Sequence, residues 1–338
     1  MTSRNIPPDA GIRIPAEEMR AFVASIFLQV GMTPERSAEL ADYLVRSDLR
    51  CVFSHGTSQA IGYARLMRDG KVNPDPRLRV TEDSPSVTTI DGDGGMGYFA
   101  CREAMQITIR KALTTGTAAA TTTNHHHFGA AGTWSRLALE HDCIGLAVSS
   151  HRFYPNPEST VAGAVSGGPL SIAIPAGEQP PFVFDAGHFE QLYTEEIYLE
   201  SPQRFFKALG INAAVTILGG LLAGIYRPEV QSTRWEPNQG SFIAVFDISR
   251  FMPVDQFRAE MDRYIGDVRK MKLLPKTEVT MLPGGLEYLW EQVNERLGIP
   301  VSDLHRQRLE ETAKEFAVES PFGPYENSRF DSSASPSS

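Results

Sequence analysis

The residues best placed by type to do chemistry sit in the stretch RCVFSHGTSQA, Arg50 to Ala60. His55 follows a helical pattern, precedes a glycine, and has Ser54 beside it. A histidine that titrates near neutrality is the natural acid/base group for carbonyl or hydroxyl chemistry, and a neighbouring hydroxyl can hold or relay its proton. The same residues also suit a helix stop in which the ring caps the carbonyls of Leu49 and Arg50. From this segment alone both readings stay open. A second cluster is His125, His126 and His127. On an extended strand neighbouring side chains alternate faces, so only His125 and His127 can point the same way. The chain offers no HExxH or His-x-His pattern with a third ligand in register, so a metal site is not expected. The small residues that follow, Phe128 to Ala131, lead into a helix whose first N–H groups can receive an anion.

These residues must be positioned by the elements around them. PAEEMRAFVASIFLQVG and TPERSAELADYLVRSDLR carry apolar residues at helical spacing, the second opened by Thr33 and Pro34. SQAIGYARLMRDG is a third helix, stopped by Gly70 and the NPDP that follows. The character then changes to strands and turns. LRVTEDSPSVTTIDGDGG, TAAATTTNHHHFG, CIGLAVSSH, PLSIAIPA, FVFDAG and SFIAVFDISRF read as strands with intervening helices FACREAMQITIRKALTTG and GTWSRLALEHD. Helical patterns return in VDQFRAEMDRYIGDVRKMK, LEYLWEQVNERLG and SDLHRQRLEETAKEFAVE. The glycines of DGDGGMGYF have the wrong spacing for a GxGxxG fingerprint and read as a turn between strand and helix. The boundaries predicted are 1–80 for an N-terminal helical part, 81–250 for a mixed central lobe, 251–325 for a C-terminal helical part, and 326–338 for a disordered Ser-rich tail.

Composition narrows the class. The chain has 338 residues, 41% hydrophobic and 22% charged, which is globular and long enough for two lobes. A net charge of −9 with mixed signs and no basic stripe excludes nucleic acid as the expected partner. Three scattered cysteines, Cys51, Cys101 and Cys143, build no disulfide framework and point to a reducing, cytoplasmic setting. The apolar run Ala208 to Tyr226 contains Asn212 and four glycines, and reads as a buried helix rather than a membrane span.

SDLRCVFSHGTSQAIGYARLMRDGKVNPDP resembles the signature of the type-2 malate/L-lactate dehydrogenase family, nicotinamide-dependent enzymes without a Rossmann fold. Further segments match in the same order: IDGDGGMGYFACREAM, NHHHFGAAGTWSRLALEHDCIGLAVSS, SIAIPAGEQPPFVFDAG and LLPKTEVTMLPGGLEYLWEQVNERLGIPV. The resemblance covers about residues 15 to 315. It implies an α/β (α+β) fold. The helical N- and C-terminal parts pack as one lobe around a central mixed, largely antiparallel β-rich lobe. It also implies that His55 gives the proton to the substrate, with Ser54 beside it. NADH or NADPH would lie along His127, Phe128, Gly129, Ala130 and Ala131, near Asp185, Lys207 and Gly284. By the same resemblance the protein is expected to be a homodimer acting on a small molecule.

The departures from the pattern fall on functional positions. The family arginine that grips a substrate carboxylate four residues after the histidine is Gln59 here, so Arg50 or Arg65 would have to replace it. SGGP (Ser166 to Pro169) replaces a Gly-Thr-Asn-Pro turn, only Lys207 remains of a His-Lys-Gly stretch, and Gly284-Gly285-Leu286 replaces Gly-Glu-Arg. The segment between Asp185 and Lys207 is also shorter than the family's. Two main readings follow. One is an oxidoreductase reducing a ketone or imine, or running the reverse, on a substrate without the usual free carboxylate. In it His55 is the acid/base, and Asp185, Glu195 or Glu196 orients it or the substrate. The other is a non-redox isomerase, cyclase or lyase using His55 after nicotinamide binding was lost. A catalytically silent homologue is the third.

Overall fold

The computed structural model describes residues 5–187, 189–230, 234–275 and 280–331. The chain divides into two compact units, Met1–Asp75 with Leu286–Ser338, and Pro76–Gly285.

The first unit opens with β1 (Ala10–Ile14), α1 (Ala16–Leu28), α2 (Pro34–Leu49) and α3 (Ala60–Arg68). Thr33 caps α2 by accepting the Arg36 N–H, and Pro34 takes the first turn, where its missing donor costs nothing. Met19, Phe22, Val23, Ile26 and Phe27 of α1 and Leu40, Leu44 and Val45 of α2 are buried, which accounts for the spacing seen in the sequence.

The second unit is built on β2 (Arg79–Asp83), β3 (Val87–Asp91), α4 (Gly97–Thr115), β4 (Thr117–His125), α5 (Ala131–Ser135), β5 (Cys143–His151), β6 (Leu170–Ile174), β7 (Phe182–Ala186), α6 (Glu195–Glu200), α7 (Pro202–Thr216), β8 (Gln239–Asp247) and α8 (Val254–Arg269). Its seven strands run in the order β2-β3-β4-β8-β5-β6-β7. Only β3 and β4 pair in parallel; the other neighbours are antiparallel. This is the mixed, largely antiparallel sheet expected, and not a Rossmann sheet. α4 lays Ala100, Cys101, Ala104, Met105 and Ile109 into the core. Across the sheet, Thr122 of β4 and Ser241 of β8 meet the buried Cys101 thiol.

The chain then returns to the first unit through α9 (Gly285–Leu297), β9 (Ile299–Val301), α10 (Asp303–Glu315) and β10 (Phe330–Asp331). β1 is the central strand of a three-stranded sheet, β10-β1-β9, so the two chain ends share one lobe as expected.

Three expectations differ from what is observed. The C-terminal part begins at Leu286 rather than 251, because α8 belongs to the central unit. Its Asp262 carboxylate accepts the backbone N–H groups of Gly177, Glu178 and Gln179 at 2.9, 2.9 and 3.0 Å. The tail is ordered through Asp331, since Ser328 Oγ accepts the Arg13 N–H at 2.9 Å and donates to the Arg13 carbonyl at 2.8 Å. The rest of the predicted tail lies outside the described residues. Finally, the apolar run is helical but only partly buried. α7 and the π-helical turn Ile217–Leu222 form the one described helix long and apolar enough to cross a membrane, with 33% of its most apolar stretch buried. Phe205, Leu209, Asn212 and Val215 face inward. Phe206, Ile211, Ile217, Leu221 and Leu222 are exposed.

Ending the chain after Asn327 removes the β10–β1 pairing, the two Ser328 bonds and the Arg13 guanidinium over the Phe330 ring at 5.1 Å. The expected loss is about 2 kcal/mol in urea unfolding. An unchanged midpoint would show that these contacts hold nothing.

Candidate active site

The Ser-His-Gly turn is a pair of 3₁₀ turns, Phe53–His55 and Thr57–Gln59, set between α2 and α3. Its upstream anchor is the end of α2. There Cys51 takes the left-handed conformation with φ 59°. The buried Asn294 of α9 donates to the Leu49 carbonyl at 2.9 Å. That carbonyl therefore has a partner other than His55, and the helix-stop reading of the ring loses its main support. Arg50 is held by a two-pronged bond to Glu291, 3.0 Å from Nε and 2.6 Å from Nη2.

Beneath the turn lies Asp48, wholly buried. Its Oδ2 accepts both the backbone N–H of Thr57, at 3.1 Å, and the Thr57 hydroxyl. Its Oδ1 has no hydrogen-bond partner. A Cβ on Gly56 would stand 1.7 Å from that oxygen, so the glycine is required by close approach. Burial pushes the Asp48 carboxyl up to about 7 against the opposing pull of its Thr57 bonds. Thr57 Oγ1 also lies 3.1 Å from Nε2 of His305 in α10, whose pKa burial lowers to about 4. With the Thr57 hydroxyl donating to Asp48, its oxygen accepts from His305 Nε2–H.

Above this support, Ser54 Oγ stands 3.0 Å from Nδ1 of His55. Gln59 does not reach outward with its amide nitrogen, which donates to the Ser54 carbonyl at 2.7 Å. Arg65, the other substitute for a carboxylate clamp, is bonded through Nη2 to Glu315 at 2.6 Å. Neither arginine proposed from the sequence is therefore open to a substrate carboxylate. Both are already paired with glutamates.

The second unit carries the remaining sequence-derived residues. His125 is a buried neutral ring, its Nε2 2.8 Å from Thr122 Oγ1 and its Nδ1 2.7 Å from the His126 carbonyl. Burial lowers its pKa to about 4. His126 Nε2 meets the Trp235 carbonyl at 2.6 Å. His127 is half-buried, and its carbonyl accepts the Gly97 N–H at 3.0 Å. The Phe128 side chain is in the core against Trp134, whose indole N–H donates to the Phe128 carbonyl at 2.9 Å. Gly129 has φ 82°, and a Cβ there would lie 2.5 Å from the Tyr98 hydroxyl. Ala130 and Ala131 lead into α5. Asp185, at the end of β7, accepts the Gly132 N–H of α5 at 2.8 Å, which ties this loop to the sheet.

Lys207 is exposed on α7 and pairs with no carboxylate among the described residues. Gly284 has φ 90° and packs so tightly on β7 that a Cβ would sit 2.6 Å from the Val183 nitrogen. Glu195 and Glu196 are exposed at the start of α6. The short segment before them is a 3₁₀ turn, Phe189–Leu192, and Phe189 and Tyr193 join a cluster with Phe205 and Leu209.

The model of malate/L-lactate dehydrogenases matches residues 14–188 and 201–310. The chain belongs to the malate/L-lactate dehydrogenase family. The interruption at 189–200 coincides with the short 3₁₀ turn and α6. The chain is 26% identical to a malate dehydrogenase of Pyrococcus horikoshii over 347 residues, covering 91% of this chain and 96% of the relative. It is 30% identical to an L-sulfolactate dehydrogenase of Methanocaldococcus jannaschii, covering 80% and 88%. The solved malate dehydrogenase of Pyrococcus horikoshii superposes with a TM-score of 0.78 over 95% of this chain and 100% of that one. A solved Δ1-piperideine-2-carboxylate reductase of Pseudomonas syringae, 19% identical, shares the fold with a TM-score of 0.68 over 89% and 99%. This is an oxidoreductase family, and the fold expected from the sequence is the fold observed.

Sequence reasoning did not single out Asp48, Asn294, Glu291 or His305. Gly56 was the available signal, as a glycine against something bulky. Nothing local points from Thr57 to a histidine 248 positions away.

The folded protein keeps a proton on Asp48 that the unfolded chain releases at the ordinary carboxylate pKa, near 4. That contribution to stability is complete below about pH 4 and is lost as pH rises to about 7. His305 and His125 work in the opposite sense over the same window, because both are held neutral by burial. Asp48→Asn isolates the carboxyl. Denaturant unfolding should show the variant gaining on the wild type by about 2 kcal/mol or more between pH 4 and pH 7. A constant offset would mean that Asp48 is ionised throughout.

Proposed function

We propose that the protein reduces a ketone or imine with NADH or NADPH, or runs the reverse, on a substrate without a carboxylate next to the reacting carbon. The observation that carries this reading is the Ser54–His55 pair, 3.0 Å apart on a turn locked from below by Asp48, in a chain of a dehydrogenase family. The missing carboxylate follows from the clamp. Gln59 is bonded to the Ser54 carbonyl, and Arg50 and Arg65 are bonded to Glu291 and Glu315.

The residues of the second unit fit a dinucleotide in part. Lys207 offers an ammonium with no carboxylate partner among the described residues, which suits a phosphate. His127 to Ala131 form a loop held rigid by Gly129 and by Asp185 at α5. Gly284 to Leu286 offer backbone alone. Bound at these residues, reduced nicotinamide supplies the hydride to the carbonyl carbon.

The proton comes from His55. As imidazolium it donates Nδ1–H to Ser54 Oγ and presents Nε2–H to the substrate oxygen. As the carbon accepts the hydride, the C=O electron pair moves to oxygen and takes the Nε2 proton, leaving an alcohol (or amine) and a neutral imidazole. The neutral ring left behind keeps its Nδ1–H on Ser54 Oγ, which holds it in one orientation with the Nε2 lone pair toward the product. Asp185 acts here as the positioning group of the cofactor loop.

A second copy is the partner we place on the apolar surface of the π turn, where Ile217, Leu221 and Leu222 are each about half exposed or more. Such a face covers itself when two copies meet about a two-fold axis. The cytoplasm is the compartment that agrees with three buried, unpaired cysteines.

His55→Ala should lower kcat/KM by about 10²- to 10⁴-fold while the melting temperature and NAD(P)H affinity stay unchanged. Unaltered turnover would remove His55 from the mechanism. Light scattering should give a dimer for the wild type and a monomer for Leu222→Asp. A monomeric wild type would remove the second copy as partner.

A further inference from the structure

A cavity of about 330 Å³ lies wholly within the first unit, on the Ser54 side of the turn. Phe53, Ser54 and Ser58 form one wall, Ile6 and Pro8 another, and Pro300, Ser302, Leu304, His305 and Arg308 the third. Ser54 links the cavity to the reacting histidine, since its Oγ is 3.0 Å from His55 Nδ1.

Two features of the lining are informative. It contains no Asp or Glu in a chain whose net charge is −9, and it contains one arginine. Arg308 pairs with no carboxylate among the described residues, unlike Arg50 and Arg65 near the same turn. Ser302 Oγ accepts the His305 N–H at 3.2 Å, and its own hydrogen is given to no group among the described residues. The remaining surface is carbon: Ile6, Pro8, Phe53, Pro300 and Leu304. Burial holds His305 neutral, so Arg308 is the formal charge of the cavity.

We infer that this cavity binds the non-reacting end of the substrate, a short carbon chain ending in an anionic group that Arg308 holds. The inference rests on the ketone or imine reading above and specifies its substrate class. The family clamp grips an anion next to the reacting carbon, whereas here the cation is displaced from position 59 to α10. The substrate is accordingly an oxo or imino compound whose carboxylate, or other anion, is separated from the reacting carbon by several methylene groups. A guanidinium gives such an anion a charge-assisted bond, and the apolar walls take up the chain.

The test uses 5-oxohexanoate and 2-hexanone, which share a ketone and chain length and differ in the terminal carboxylate. Ligand-observed NMR titration measures their affinities for wild type, Arg308→Gln and Arg308→Lys without requiring turnover or cofactor. NADPH or NADH oxidation with the same ketones is followed in parallel. The wild type should bind 5-oxohexanoate about 10-fold or more tightly than 2-hexanone. Arg308→Gln should bring the two within about twofold, and Arg308→Lys should keep part of the preference. Equal affinities in the wild type, a preference that survives Arg308→Gln, or no binding of either ketone at about 10 mM would overturn the inference. A preference that depends on Arg308 without any cofactor oxidation would leave this site standing and count against the reduction itself.

Discussion

The packing of Gly56 against the buried Asp48 carboxylate sets the geometry on which the site depends. A glycine there lets the backbone approach an oxygen to a distance no side chain permits, and Thr57 then satisfies the other oxygen twice. The turn is thereby held from beneath, and His55 and Ser54 are presented on its outer side. The arrangement leaves Asp48 Oδ1 without a partner. A buried carboxyl in that position is costly when charged, which is why its pKa rises and why a group so close to the histidine is neutral over much of the acid range.

The cations around the turn are already committed within the protein. Arg50 and Arg65 are present in the sequence and close to the histidine, yet each is satisfied by a glutamate. A guanidinium already in a two-pronged bond offers a substrate anion little, because the glutamate would have to be displaced first. Gln59 faces the Ser54 carbonyl and so stiffens the turn. The residue four places after the histidine thus offers no charge, and its amide adds an internal bond that holds the Ser54 carbonyl.

Much of this was legible in the sequence, for reasons that can be named. The amphipathic helices α1 and α2 and the strands β4, β5 and β8 follow from local periodicity and caps, and the resemblance nominated Ser54, His55, the Phe128 loop and Asp185 as candidates. Local patterning could not supply what is fixed by distant pairings. β9 and β10 are three and two residues long, too short for any period to show, and they exist because β1 lies between them. The engagement of Arg50 depends on a glutamate 241 positions away. α8 looked like part of the C-terminal helices, but three backbone N–H groups on its Asp262 tie it to the central unit. The run through α7 is apolar on most of its circumference, and composition alone does not say that Phe206, Ile211 and Leu221 stay uncovered.

The measurement that bears most directly on the account is a titration of the purified protein with NADH and with NADPH, followed by fluorescence and calorimetry. Binding of one of them in the micromolar range is the predicted result, and it would place the Ser54–His55 pair in a working hydride-transfer enzyme. Absence of binding at millimolar concentrations of both would contradict the account. His55 would then belong to a proton-transfer reaction without nicotinamide, carried out on the scaffold of a dehydrogenase.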